Sequence, residues 1–157
     1  MAEFDGNGWV EGPDGTRRWG LHGAAGLLLV RPGPEVLLQL RADWTHFGGT
    51  WSLVGGARDS HEDAVTAALR EAHEEAGVPP EEVRVVALLP GARLGEWSYT
   101  YVLGWTTRDV VAEPRTDESV EIRWFPVGDV AGLALHEGLA ADWDRLAEAV
   151  LDSVSSS

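Results

Sequence analysis

The sequence contains no cysteine among its 157 residues. This absence excludes a disulfide scaffold, cysteine-ligated zinc, iron–sulfur clusters and thiol catalysis. The chain also lacks an apolar run near the roughly 18 residues that a membrane-spanning helix needs. Its first 15 residues are acidic and glycine-rich, which is unlike a secretory signal. We therefore expect a soluble, cytoplasmic protein with no membrane partner.

Basic residues are scarce. Lysine and arginine number 12 against 26 acidic residues, which gives a formal net charge of -14. A field of this sign repels polyanions, so duplex nucleic acid is not an expected partner. A phosphorylated substrate would need a cation to offset the local charge, and carboxylates are ligands that Mg²⁺ or Mn²⁺ would use.

Turn-forming residues divide the chain into one domain and two short ends. Residues 1–18 carry glycine and proline without periodicity and predict a loose N-terminal segment. Residues 19–154 predict a single α/β domain with a mixed sheet, and residues 155–157 predict a frayed tail. The predicted strands are 19–30, 36–40, 51–54, 83–89, 97–106 and 121–125, and the terminal helix is 139–154.

A central helix over residues 61–76 has the clearest boundaries. Ser60 is placed to cap it, Asp63 occupies the capping-box position, and Gly77 followed by two prolines ends it. On a helical wheel that starts at Glu62, the apolar residues fall on one arc, which we expect to pack on the sheet. These apolar residues are Ala64, Val65, Ala68, Leu69, Ala72 and Ala76.

Three glutamates share a narrow face of this helix beside the apolar arc. They are Glu71, Glu74 and Glu75. Like charges at this spacing repel one another, and a divalent cation would remove that cost. Arg70 can hold a carboxylate through a two-point contact. Gly55 and Gly56, just upstream, allow the backbone to turn tightly and approach a ligand.

The spacing of these residues resembles the Nudix box, the signature of hydrolases that act on nucleoside diphosphates linked to a further moiety. The matching run is Gly56, five residues, Glu62, seven residues, Arg70-Glu71-Ala72, one residue, Glu74-Glu75, one residue, Gly77-Val78. Upstream, the run from Trp51 to Gly56 is similar to the family's Trp-x-Leu-Pro-Gly-Gly lead-in, with Val54 in place of proline. The resemblance implies a Nudix-type α/β/α sandwich with a mixed β-sheet, a central Nudix-box helix and a C-terminal helix.

The resemblance also implies roles for individual residues. The implied metal ligands are Glu71, Glu74, Glu75, the carbonyl of Gly55, and Glu118. The implied catalytic residues are Glu71, Glu74, Glu75, Arg70 and Glu118, supported by Gly56, Glu62 and Glu121. The general base would be either Glu71 or a carboxylate from the later loop, for which Glu118 is the first choice and Glu121 the second.

Substrate contacts are expected from side chains outside the box. Arginines can bind phosphates and aromatic rings can stack on a base or ribose, although both residue types are more often found on the surface or in the core. The candidates are Arg41, Arg58, Arg93, Trp97 and Tyr99.

The function implied is that of a Mg²⁺- or Mn²⁺-dependent pyrophosphohydrolase. It would cleave the diphosphate of a nucleoside triphosphate, or of a related nucleoside diphosphate derivative, by attack of water at phosphorus. An ADP-ribose or nucleotide-sugar hydrolase of the same fold is an alternative. So are a non-catalytic Nudix-fold nucleotide-binding module and a carboxylate-rich calcium-buffering protein. The sequence leaves a homodimer open.

Overall fold

The computed structural model describes residues 6, 8–11 and 17–154. The predicted tail, residues 155–157, lies outside the described residues, as does the rest of the segment predicted to be loose. Two short strands lie at or near this N-terminal segment. They are β1 (Trp9–Glu11) and β2 (Arg17–Trp19), which pair antiparallel. At 3 residues each, they are too short for a period-two pattern to stand out in the sequence.

Across residues 17–154, seven strands form one mixed sheet. The strands are β3 (Ala24–Arg31), β4 (Glu35–Arg41), β5 (Trp51–Ser52), β6 (Val54–Ala57), β7 (Arg84–Leu94), β8 (Trp97–Trp105) and β9 (Ser119–Pro126). The order is β5–β4–β3–β8–β7, with β6 also paired to β3 and β9 to β4. β3 and β8 run parallel and the other pairs antiparallel.

Helices cover both faces of the sheet. They are α1 (Ala64–Ala76) and α2 (Glu137–Val154), with 3-10 turns at Pro80–Glu82 and Val127–Gly132. In β3, Leu27 and Leu29 pack in the core on the α1 side, whereas Leu28 and Val30 pack in the core on the α2 side. A strand buried on both faces explains the continuous apolar run. The predicted fold class, an α/β/α sandwich with a mixed sheet, is confirmed.

The start of α1 differs from the prediction. Asp63 is the N-cap residue, in an extended conformation, and its side chain accepts a hydrogen bond from the Thr66 N–H at 2.8 Å. The prediction that Ser60 caps a helix beginning at residue 61 is therefore wrong. At the other end, Gly77 adopts the left-handed conformation at φ 73°, as the sequence predicted. Over the described residues, no helix is long and apolar enough to cross a membrane.

Residues 59–62 form a separate turn before the helix, closed by a hydrogen bond from the Glu62 N–H to the Asp59 carbonyl at 3.0 Å. Glu62 therefore does not lie on α1, which corrects the helical wheel. Two strand boundaries also differ. Predicted strand 51–54 is split into β5 and β6, and β7 continues past Pro90 to Leu94. Proline is tolerated there because β7 is an edge strand, whose register also shifts beyond Pro90.

Candidate active site

α1 lies close to the sheet because its buried face consists of small side chains. Ala67, Ala68, Ala72 and Ala76 have no exposed surface and pack in the core with Leu27 of β3. Alanine keeps a helix near its neighbour and adds little conformational entropy cost. This close approach lets glutamates on the flank of α1 reach the backbone of β6.

Two of these glutamates contact the glycine pair of β6. The Gly55 N–H donates a hydrogen bond to the Glu75 carboxylate. A Cβ on Gly56 would lie 2.8 Å from Cδ and 2.9 to 3.0 Å from the carboxylate oxygens of Glu71, so a larger residue would displace that side chain. The glycine at position 56 thus leaves the space that the Glu71 carboxylate fills.

Arg70 joins the neighbouring carboxylates into one network. Its guanidinium makes a two-point contact with Glu62, with Nε 2.7 Å from Oε2 and Nη2 2.8 Å from Oε1. Nη1 lies 3.1 Å from Glu71 Oε1 and 3.4 Å from Glu74 Oε2, and Nη2 donates to the Ala57 carbonyl at 3.2 Å. The hydrogen bonds from Arg70 lower the pKa of Glu62, and in return the pKa of Arg70 is raised.

Glu71 and Glu75 are held in an environment that disfavours two negative charges. Burial is the largest cause that raises the pKa of Glu75 well above its ordinary value, and the charges of Glu71 and Glu118 raise it further. Burial also raises the pKa of Glu71, opposed by Arg70 and reinforced by Glu74. A hard divalent cation would offset both the burial and the repulsion. The donor set therefore fits Mg²⁺ or Mn²⁺.

A second acidic group precedes α1. In the part of the chain that the structure describes, the group with three ligand atoms within 4.8 Å of one another is Asp59, His61 and Glu62. Both of its carboxylates already have strong donors. Glu62 is bound by Arg70, and Asp59 Oδ1 accepts the Gly6 N–H at 2.9 Å. We regard this group as a weaker candidate for a cation than Glu71 and Glu75.

The loop between β8 and β9 brings Glu118 to the same place. Glu118 is exposed, and its charge is one of those that raise the pKa of Glu75. Its carbonyl accepts the Ala42 N–H at 2.8 Å, which ties the loop to the end of β4. Glu121, on β9, is instead paired with Arg123, with Nε 2.6 Å from Oε2. Glu118 is thus the late-loop carboxylate that lies beside the cluster.

Two of the substrate-contact candidates, Arg41 and Tyr99, lie near the acidic cluster formed by Glu71, Glu74 and Glu75. The charge of Arg41 lowers the pKa of Glu75, while its Nε is held by the His46 carbonyl at 2.8 Å. The Tyr99 hydroxyl lies over Gly26 and leaves no room there for a Cβ. Burial, followed by the charge of Glu75, raises the pKa of Tyr99.

The other candidates are placed differently. The Arg58 guanidinium donates to the His22 carbonyl at 2.7 and 3.0 Å and to the Glu62 carbonyl at 2.6 Å, so it braces the loop before α1. Trp97 is 6% exposed and contributes to the core, which leaves little of its ring for stacking on a base. Arg93 is exposed on β7.

Asp59 was not among the predicted site residues. Its carboxylate is buried, and Oδ2 lies 3.6 Å from Arg70 Nη2. The Nudix box leaves the five residues after Gly56 unspecified, so spacing carried no signal. The available signal was a carboxylate in the loop between a required glycine and a required glutamate.

Known proteins resemble this chain over most of its length. A family model described as "NUDIX domain" matches residues 20–148. A Mycobacterium tuberculosis protein named "Putative 8-oxo-dGTP diphosphatase 3" is 46% identical over 151 residues, which cover 90% of this chain and 69% of the relative.

Solved structures give the same result. The crystal structure of a Nudix hydrolase from M. smegmatis, RenU, has a TM-score of 0.86 and 47% sequence identity, covering 94% of this chain and 96% of that one. The NUDIX domain of Shewanella oneidensis NrtR, complexed with ADP ribose, has a TM-score of 0.61 and 21% identity over 83% and 86% of the two chains. The latter likeness shows the fold alone.

Proposed function

The chain belongs to the Nudix family and is a hydrolase of phosphoric anhydride bonds, and from this premise we propose that it is a divalent-metal-dependent nucleoside triphosphate pyrophosphohydrolase. The observation that carries the proposal is a pair of glutamates, the buried Glu75 and the partly buried Glu71, packed against Gly55 and Gly56 beside Arg70. The name of the M. tuberculosis relative supports 8-oxo-dGTP as the first substrate to test.

A cation would be held by carboxylates of α1 and a backbone carbonyl of β6. The proposed ligands are Glu71, Glu74 and Glu75 and the Gly55 carbonyl. When bound, Mg²⁺ or Mn²⁺ would neutralise the diphosphate and lower the pKa of the attacking water. Such neutralisation also explains how a chain with a formal net charge of -14 can bind a polyphosphate.

The side chains of the protein supply position and a base. Arg70 keeps Glu71 and Glu74 in place. We propose that a carboxylate oxygen of Glu118 takes the proton from the attacking water, because Glu118 is exposed beside the cluster whereas Glu71 is held by Arg70. Arg41, which faces the cluster, would bind a phosphate oxygen.

The test is a screen for release of pyrophosphate and phosphate with Mg²⁺ and Mn²⁺. The panel holds nucleoside triphosphates, 8-oxo-dGTP, ADP-ribose and nucleotide sugars. Glu74→Gln should lose turnover, because its half-exposed side chain can change without disturbing the core. Glu148→Gln, an exposed glutamate on α2, is the matched control and should behave as wild type.

Three outcomes would count against the proposal. Equal turnover in EDTA would exclude a metal requirement, and wild-type activity in Glu74→Gln would exclude Glu74 from the site. Nucleotide binding with no turnover across the panel would favour a binding module. Preference for ADP-ribose or a nucleotide sugar would keep the metal chemistry and replace the proposed substrate class.

A further inference from the structure

The described part of the N-terminal segment is tied to the loop that precedes α1. The Leu21 N–H donates to the Gly6 carbonyl at 2.7 Å, and the Gly20 N–H donates to the Gly8 carbonyl at 2.7 Å. The Arg58 N–H donates to the Gly23 carbonyl at 2.9 Å. Gly6 and Gly8 therefore lie along Gly20 and Leu21, and Gly23 in turn holds the loop at residue 58.

Gly6 fits this loop without space for a side chain. A Cβ on Gly6 would overlap the Arg58 carbonyl oxygen and lie 2.8 Å from the carbonyl carbon. The Gly6 N–H donates to Asp59 Oδ1 at 2.9 Å, in a buried hydrogen bond between residues 53 positions apart. Asp59 is 4% exposed, and a buried carboxylate is costly unless donors of this kind surround it.

Asp59 connects Gly6 to the Arg70 network. The Asp59 N–H donates to Glu62 Oε1 at 3.0 Å, and Asp59 Oδ2 lies 3.6 Å from Arg70 Nη2. Glu62 and Arg70 make their two-point contact, and Arg70 then reaches Glu71. An unbroken series of polar contacts thus runs from the N-terminal segment to a proposed metal ligand.

We infer that the N-terminal segment positions the catalytic carboxylates through the hydrogen bond between Gly6 and Asp59. Both are positioning residues, since Gly6 contacts Asp59 and Asp59 acts through Glu62 and Arg70. The inference rests on the proposed function. It assigns the segment a role in turnover, because groups that orient metal ligands from behind affect activity without binding the metal.

The experiment compares two glycine-to-alanine variants. Gly6→Ala would push the segment away from Asp59, whereas Gly128→Ala adds a Cβ with nothing within 4 Å. Measured well below the unfolding temperature, Gly6→Ala should lower kcat about 10- to 100-fold. KM should stay within about twofold if Gly6 acts on the metal ligands and not on ground-state binding of the substrate. Gly128→Ala should match wild type.

Variants at Asp59 separate positioning from general loss of structure. Asp59→Asn keeps an oxygen that can accept the Gly6 N–H, so it should retain more of the wild-type kcat than Asp59→Ala does. If both partners act through one contact, combining Gly6→Ala with Asp59→Ala should lower kcat no further than the stronger single variant. If Gly6→Ala fails to fold, the comparison of Asp59→Asn with Asp59→Ala tests the positioning role without it.

The outcomes distinguish this inference from the proposed function. An active wild type with unchanged kcat in Gly6→Ala, or strictly additive losses in the double variant, would overturn the positioning role alone. Equal loss in Asp59→Asn and Asp59→Ala would also overturn it. A wild type with no turnover of any compound in the panel would overturn the proposed function and the inference with it.

Discussion

The two faces of the sheet are packed with side chains of different size. The α1 side is lined with alanines, among them Ala68 and Ala72, whereas the α2 side is filled by large rings such as Phe125 and Trp143. Small residues bring α1 close enough for its glutamates to touch the backbone of β6. Large residues fill the wider space beneath α2 and bury more apolar surface. The comparison indicates that the α1 face brings the carboxylates to β6, whereas the α2 face holds the large buried rings.

Polar groups on the two faces also differ in how well they are paired. Beneath α2, the Tyr101 hydroxyl donates to Asp142 Oδ2 at 2.6 Å and Trp105 Nε1 donates to Ser153 Oγ at 2.8 Å. Each of these donors has its acceptor. On the α1 side, the charges of Glu71 and Glu75 repel each other in a buried setting. The unresolved repulsion lies on the face to which we assign the chemistry.

The largest expected effect comes from Glu75→Gln. Turnover should fall by orders of magnitude, because the variant lacks a charged metal ligand. The fold should be kept, since the glutamine oxygen can still accept the Gly55 N–H and a buried charge is removed. Steady-state kinetics and a denaturant titration measure both quantities. Glu148→Gln on α2 is the control, and retained turnover in Glu75→Gln would break the comparison between the faces.

Trp143→Ala tests the opposite face. Trp143 is 4% exposed, and removal of a buried tryptophan side chain should lower the free energy of unfolding by about 3–5 kcal/mol. Urea unfolding gives that value. At a temperature where the variant is fully folded, its kcat should equal that of wild type. A folded Trp143→Ala protein without metal-dependent turnover would show that the α2 face takes part in the chemistry.

Gly56→Ala tests the importance of the contact between α1 and β6. The added Cβ would displace the Glu71 carboxylate, so kcat should fall about 10- to 100-fold, as for other changes that shift a ligand from behind. Gly132→Ala is the matched control, because its Cβ would have nothing within 4 Å. Equal kcat in the two variants would mean that the position of Glu71 is unimportant.

Tyr101→Phe should have the smallest effect, and one that depends on pH. Burial, followed by the bond to Asp142, raises the pKa of Tyr101 above its ordinary value of 10.0. Above about pH 10 the unfolded chain therefore loses a proton that the folded chain keeps, so stability falls as pH rises. At pH 8 the substitution should lower the free energy of unfolding by about 1 kcal/mol.

At pH 11 the difference between Tyr101→Phe and wild type should shrink, because phenylalanine has no proton to retain. Urea unfolding at the two pH values measures it. Asp142 keeps a partner in the variant, since Arg145 Nη2 lies 3.2 Å from its Oδ1. An unchanged difference at pH 8 and pH 11 would show that the titration of Tyr101 contributes nothing to the loss of stability at alkaline pH.

The sequence predicted the parts of the fold that local chemistry decides. The buried strand β3 follows from its apolar run and the end of α1 at Gly77 from backbone preference, whereas the sandwich architecture was implied by the resemblance to the Nudix box. The start of α1 did not follow. Ser60 and Asp63 are both good capping residues, and tertiary contacts from Arg70 to Glu62 select the second by fixing the turn before the helix.

The site could be predicted only where the box spacing reaches. Distant contacts decided the rest, and no sequence pattern reports them. Arg58 was one candidate for a phosphate contact, and its guanidinium donates to two backbone carbonyls. Asp59 draws its significance from Gly6, which is 53 positions away along the chain.

The most direct test measures Mn²⁺ binding by electron paramagnetic resonance or calorimetry in wild type, Glu75→Gln and His61→Ala. It compares the glutamates of α1 with the group formed by Asp59, His61 and Glu62 in the absence of any substrate. We expect wild type and His61→Ala to bind Mn²⁺ alike and Glu75→Gln to bind it much more weakly. Binding lost in His61→Ala and kept in Glu75→Gln would place the cation at the group formed with Asp59 and Glu62, and would contradict the assignment of the metal to α1.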